Sequence, residues 1–151
     1  MLLLSTLVAC LHLGVRPPGG GDEPLAYDAQ HVFSGVQVQA PVAEPGVDEA
    51  VRSALWRALA ARGALGGGLP LAVTVTEASL DPAVRGDSAA TGGGLWYRAR
   101  LVARVNAPDR ARTFSLEDWV PETGAVPDRQ HTFEALAERL AQEIGAWATS
   151  G

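Results

Sequence analysis

The sequence predicts an α+β fold. It is a two-layer sandwich in which two helices pack on one face of a four-stranded, mainly antiparallel sheet, in the order β-α-β-β-β-α. Three observations carry this. Segments 44–63 and 128–148 each repeat their apolar residues at 3.6-residue spacing, along a single stripe. Segments 31–40, 69–80, 95–107 and 112–120 instead alternate apolar and polar residues with period two. Two one-striped helices laid on one face of such a sheet close a core without a third layer.

The first strand, HVFSGVQVQA (31–40), sets Val36, Val38 and Ala40 against Gln37 and Gln39, and Pro41 ends it. The helix at 44–63 follows, with Val47, Val51, Ala54, Leu55, Ala58 and Leu59 on its stripe. Asp48 and Glu49 at its start and Arg57 and Arg62 near its end match the helix dipole. Gly63 is placed to close it in the left-handed conformation. In 69–80, Leu71, Val73 and Val75 take one face and Thr74 and Thr76 the other, with Pro70 confined to the start. Residues 81–94, DPAVRGDSAATGGG, read as a long loop, a class that is commonly functional or disordered.

The longest alternation is 95–107. Leu95, Tyr97, Ala99, Leu101, Ala103 and Val105 share one face; Trp96, Arg98, Arg100, Val102, Arg104 and Asn106 share the other. Pro108-Asp109-Arg110 signals a turn. Segment 112–120 then returns with Phe114, Leu116 and Val120 against Thr113, Ser115, Glu117 and Trp119, as the second arm of an antiparallel hairpin. Arg and Glu on its open face are expected to form cross-strand ion pairs. The last helix carries Phe133, Leu136, Ala137, Leu140, Ile144 and Trp147 on one face, with Asp128 as its N-cap.

The chain has 151 residues, 47% hydrophobic and 19% charged, which is the composition of a single globular domain. A net charge of −5 argues against a general nucleic-acid binder, because phosphate neutralisation needs a basic surface. All basic residues are arginine, as GC-rich coding produces, and this carries no functional weight.

Residues 1–15 are uncharged and end at Arg16-Pro17-Pro18. As a helix they cover only ~22 Å, short of a ~30 Å hydrocarbon core. An apolar run closed by small residues reads instead as a secretory signal. Leu7-Val8-Ala9-Cys10 matches the lipobox of bacterial lipoproteins, in which the peptide is cut before a cysteine that becomes lipidated. Cys10 is the single cysteine and has no disulfide partner in the chain. The expected organisation is a signal peptide at 1–9, a lipidated Cys10 with a flexible tether at 10–30, and one α+β domain at 31–151. Leu11, in place of Asp, resembles the enterobacterial pattern for delivery to the outer membrane.

No catalytic constellation is legible: G-x-S-x-G, P-loop and H-E-x-x-H motifs are all missing. His12, His31 and His131 are scattered without partners at ligand spacing, so neither a metal nor a cofactor is expected. Ser79, Ser88 and Ser115 lack a nucleophile motif, and the adjacent Glu117 and Asp118 point to opposite faces of a strand. The chain is therefore expected not to be an enzyme. The candidate binding residues are Arg98, Arg100 and Arg104 with Trp96. An arginine row beside an indole suits an anionic amphiphile, the guanidinium forks meeting phosphate or carboxylate and the indole an acyl chain. A plain solvated sheet face is the competing explanation.

The lipobox, the early helix VDEAVRSALWRALAARG, the strands LPLAVTVTEASL and LWYRARLVARVNA, and the final helix FEALAERLAQEIGAW follow one another in an order that resembles the LPS-assembly lipoprotein family (LptE-like). The likeness covers about residues 31–148 and lies in order and pattern. It departs at Leu11-His12, where family members commonly carry Gly-Tyr or Gly-Phe. The resemblance implies an outer-membrane lipoprotein, anchored by its N-terminal lipid on the periplasmic side. Such a protein plugs an LptD-like β-barrel, assists its assembly, and helps deliver lipopolysaccharide to the outer leaflet. By strand parity, Arg98, Arg100 and Arg104 would then face lipopolysaccharide phosphates. Similar patterns occur in other small envelope lipoproteins, of transporter-auxiliary or cell-wall-synthase-activator type, and these form the alternative.

Overall fold

Alternation that turns one side of each strand apolar leaves the sheet with a single face to bury, and both helices cover that face. The structure, a computed structural model, describes residues 32–83 and 95–150. The expected signal peptide, Cys10 and its tether lie outside the described residues, as does 84–94 of the expected loop. The element order is β1 (Val36–Gln39), α1 (Val47–Ala61), β2 (Leu71–Ala83), β3 (Trp96–Asn106), β4 (Ala111–Pro121) and α2 (Arg129–Thr149). They form a four-stranded sheet in the order β1-β2-β3-β4. β1 runs parallel to β2, as a strand returning through a helix must, and the other pairs are antiparallel. This is the α+β architecture that the sequence predicts.

The first strand is shorter than its alternation suggests. Phe33 makes a separate parallel bridge to Leu65, with its N–H donating to the Ala64 carbonyl at 2.9 Å, and β1 starts only at Val36. Phe33 is fully buried and closes one end of the core.

α1 buries the stripe expected of it. Its final carbonyls are met by Gly63, at φ 65°, whose N–H reaches Ala60, and by the Arg62 guanidinium, which donates to the Ala58 carbonyl at 3.1 Å. Arg57 turns aside to pair with Glu138 of α2. α2 begins where Asp128 accepts the N–H of His131 at 3.2 Å, as an N-cap does. Its far end is held by a residue from the β3–β4 turn. Nη2 of Arg110 donates to the carbonyls of Trp147 at 2.7 Å and Ser150 at 2.6 Å, and the guanidinium stacks 4.9 Å from the Trp147 ring. The core between the layers is built on Leu55, Leu59, Leu71, Leu101, Leu136, Leu140 and Ile144.

The strand at 69–80 is corrected in two ways. It continues through Asp81, Pro82 and Ala83, so the expected loop does not begin at residue 81. It also carries a bulge. Val75 stands opposite Ala103 and Glu77 opposite Val102, which leaves Thr76 without a register partner. The extra residue changes the parity of the strand: Leu71, Val73 and Val75 face the helices before it, and Ala78 and Leu80 do so after it.

Candidate functional site

The even-numbered residues of β3 project away from the helices, because the odd-numbered ones (Ala99, Leu101, Ala103, Val105) fill the core. This brings Trp96, Arg98, Arg100 and Arg104 onto one open sheet face. At ~3.3 Å per residue, Trp96 and Arg104 stand roughly 27 Å apart, too far for one small headgroup to touch both. The four candidates thus form a row rather than a cluster.

The neighbours on either side decide the row's electrostatics. Arg98 lies between Asp81 of β2 and Trp119 of β4; Arg100 lies between Ser79 and Glu117. Arg104 lies between Thr74 and Thr113. Sequence reading placed Glu117 here but missed Glu77 and Asp81, which reach this face because of the bulge at Thr76. A signal was present in the apolar positions, which change from odd (71, 73, 75) to even (78, 80).

The Arg–Glu ion pairing expected across the β3–β4 hairpin is replaced, among the described residues, by a diagonal pair to β2. Nη1 of Arg100 lies 3.3 Å from Oε1 of Glu77, although Glu117 is its register partner. Both side chains are about two-fifths exposed, so the pair contributes no more than ~1 kcal/mol. Val102 is nearly buried on this open face, within reach of the flexible stems of Arg100 and Arg104. The face is therefore graded. Carboxylates interleave with arginines around Arg98 and Arg100, while Arg104 is flanked by hydroxyls and keeps an uncompensated positive charge among the described residues.

The other candidates separate in space. Glu117 and Asp118 point to opposite faces, and Oδ2 of Asp118 pairs with Arg139 of α2 at 3.0 Å. His131 is exposed in the first turn of α2, and Ser79 and Ser115 lie on different strands. His12, His31 and Ser88 lie outside the described residues. A groove of about 820 Å³ runs between the N-terminal halves of the helices. Its charged groups are largely committed to each other: Glu44 to Arg129, Glu138 to Arg57, and Glu49 to Ser53 at 2.9 Å. The bond to Glu44 raises the pKa of Arg129 above the usual guanidinium value. Among the described residues no group of three or more His, Cys, Asp or Glu is placed to hold a metal ion. No described helix is long and apolar enough to cross a membrane.

No family model matches the chain, and no curated protein matches it. Among solved structures it is similar to a minor lipoprotein from Acinetobacter baumannii, at 14% identity over 77% of this chain and 92% of that chain, with a TM-score of 0.47. It is also similar to a candidate lipoprotein from Caulobacter crescentus CB15, at 16% identity over 80% of this chain and 90% of that chain, with a TM-score of 0.41.

Proposed function

We propose that this chain is an outer-membrane lipoprotein that serves as the accessory, plugging subunit of a lipopolysaccharide-transport β-barrel. Its role is to bind and to assist assembly, with no catalytic step. One observation carries the reading: among the described residues both helices lie on one face of the sheet, and on the other face Arg104 stands uncompensated between two threonines. A guanidinium with hydroxyl neighbours offers several donors and no competing carboxylate to a phosphate oxygen. The lipobox at Cys10 supplies the anchor, and the order of strands and helices that resembles the LPS-assembly lipoproteins supplies the choice of barrel.

The second reading is an envelope lipoprotein with a protein-binding role, of transporter-auxiliary or cell-wall-synthase-activator type. It is favoured by Glu77, Asp81 and Glu117 beside Arg98 and Arg100. A face of mixed sign complements another protein better than it complements a polyanion.

Affinity purification of the tagged chain from detergent-solubilised outer membranes separates the two. Stoichiometric recovery of a lipopolysaccharide-transport β-barrel is the expected result. Recovery of a transporter or a cell-wall synthase establishes the second reading, and recovery of the chain alone sinks the barrel assignment.

A further inference from the structure

β4 is an outer strand of the sheet, and its outer edge, unpaired among the described residues, is long and regular. Two bonds set its phase. The Glu122 N–H donates to the Leu95 carbonyl at 2.9 Å, and the Ala107 N–H donates to the Arg110 carbonyl at 2.8 Å. Even-numbered residues on this strand therefore bond to β3, and odd-numbered residues turn their N–H and C=O groups outward. Trp119 obeys the phase: its N–H donates at 2.9 Å to the carboxylate of Asp118. No bulge interrupts the β3–β4 pairing, and the one proline of β4 is its last residue. Thr113, Ser115 and Glu117 thus present an unbroken row of outward backbone groups, the template on which another strand pairs.

We propose that the occupant is a second copy of this chain, joined β4 to β4 in antiparallel fashion about a two-fold axis through Ser115. Charge fixes the register. With the axis at Ser115, Arg112, whose guanidinium lies over Phe114, stands opposite Asp118 of the other copy at both ends of the contact and would share that carboxylate with the Arg139 already paired to it. Thr113 then meets Glu117, and Phe114 meets Leu116, so no like charges oppose each other. Moving the axis to Glu117 sets two carboxylates face to face. Moving it to Leu116 puts Phe114 against Asp118, and any shift toward Ala111 takes Arg112 off its partner. Pairing over Thr113–Glu117 forms roughly six backbone hydrogen bonds.

The helix layer accommodates this arrangement. α2 packs over β3 and β4. Across the axis, the two α2 helices are separated by two strand spacings, about 10 Å, which is an ordinary helix–helix distance. The result is an eight-stranded sheet with a continuous helical layer on one side and two copies of the arginine face on the other.

The test uses the full chain in detergent, with Cys10→Ser removing the native thiol. The parent is expected to sediment as a dimer, at twice the 15.7 kDa of one chain. Single cysteines then read the register under mild oxidation. Ser115→Cys meets its own copy across a Cα separation of about 5.5 Å, within disulfide range. Thr113→Cys and Glu117→Cys each stand roughly 13 Å from their equivalents. Cross-linking of Ser115→Cys at least about ten times faster than of either single variant, with Thr113→Cys and Glu117→Cys linking when mixed, is the expected pattern. A monomer in sedimentation overturns the proposal, as does a dimer in which the three variants cross-link equally.

Discussion

Deleting Thr76 and deleting Thr74 give two chains of identical length and composition, which differ only in the order of one valine and one threonine. Both deletions remove the surplus residue of β2 and so iron out its bulge. Without Thr76, Val75 keeps its place against the helices, Glu77 stays outside, and Ala78 and Leu80 stay inside. Without Thr74, the strand regularises only by turning Val75 outward and Thr76 into the core. Val75 is fully buried, so exposing it forfeits about 1.5 kcal/mol. The threonine hydroxyl that replaces it, without a partner, costs about 1–3 kcal/mol. The expected gap is about 3 kcal/mol, because the cost of losing the bulge is common to both variants and cancels. Urea unfolding followed by circular dichroism reads it as roughly 1.5 M in the midpoint, or roughly 10 °C in Tm. A Thr76 deletion as unstable as the Thr74 deletion would refute the assignment of Thr76 as the bulged residue, and with it the reason Glu77 and Asp81 lie on the arginine face.

Three further outcomes are expected. Leu101→Ala, at a fully buried site in the middle of β3, should lower stability by about 3 kcal/mol in urea titration; Val102→Ala, its neighbour on the open face, should cost about 1 kcal/mol. Arg110→Ala removes the cation that holds the Trp147 and Ser150 carbonyls, so it should destabilise by about 2 kcal/mol and speed amide exchange in the last turn of α2. On the proposed function, Arg104→Glu should weaken lipopolysaccharide binding about tenfold in a fluorescent-probe displacement assay. Arg98→Glu, beside Asp81, should change it less, and equal effects would dismiss the graded face.

Elements whose pattern is local were legible. The stripes of α1 and α2, the faces of β3 and β4, the left-handed Gly63 and the Asp128 cap all follow from spacing of a few residues, and each stands where the sequence puts it except Leu95, which precedes β3 and is exposed rather than on its apolar face. The candidate site was legible only along one strand. Parity within β3 fixed that Arg98, Arg100 and Arg104 share a side, but their neighbours come from β2 and β4, and the β2 contribution depends on a bulge that exists only relative to a partner strand.

The sequence by itself determined the two layers, their order and the apolar side of each strand except β2 beyond its bulge, because burial periodicity is written in consecutive residues. Tertiary structure decided the rest. Arg100 takes Glu77 over its register partner Glu117, Asp118 pairs with Arg139, and Arg110 closes a helix 37 residues away. Each of these choices joins side chains from different elements, and arginine's long, flexible stem lets several carboxylates and carbonyls compete for one guanidinium. Which of them wins is set by distances that exist only after the sheet and helices have packed.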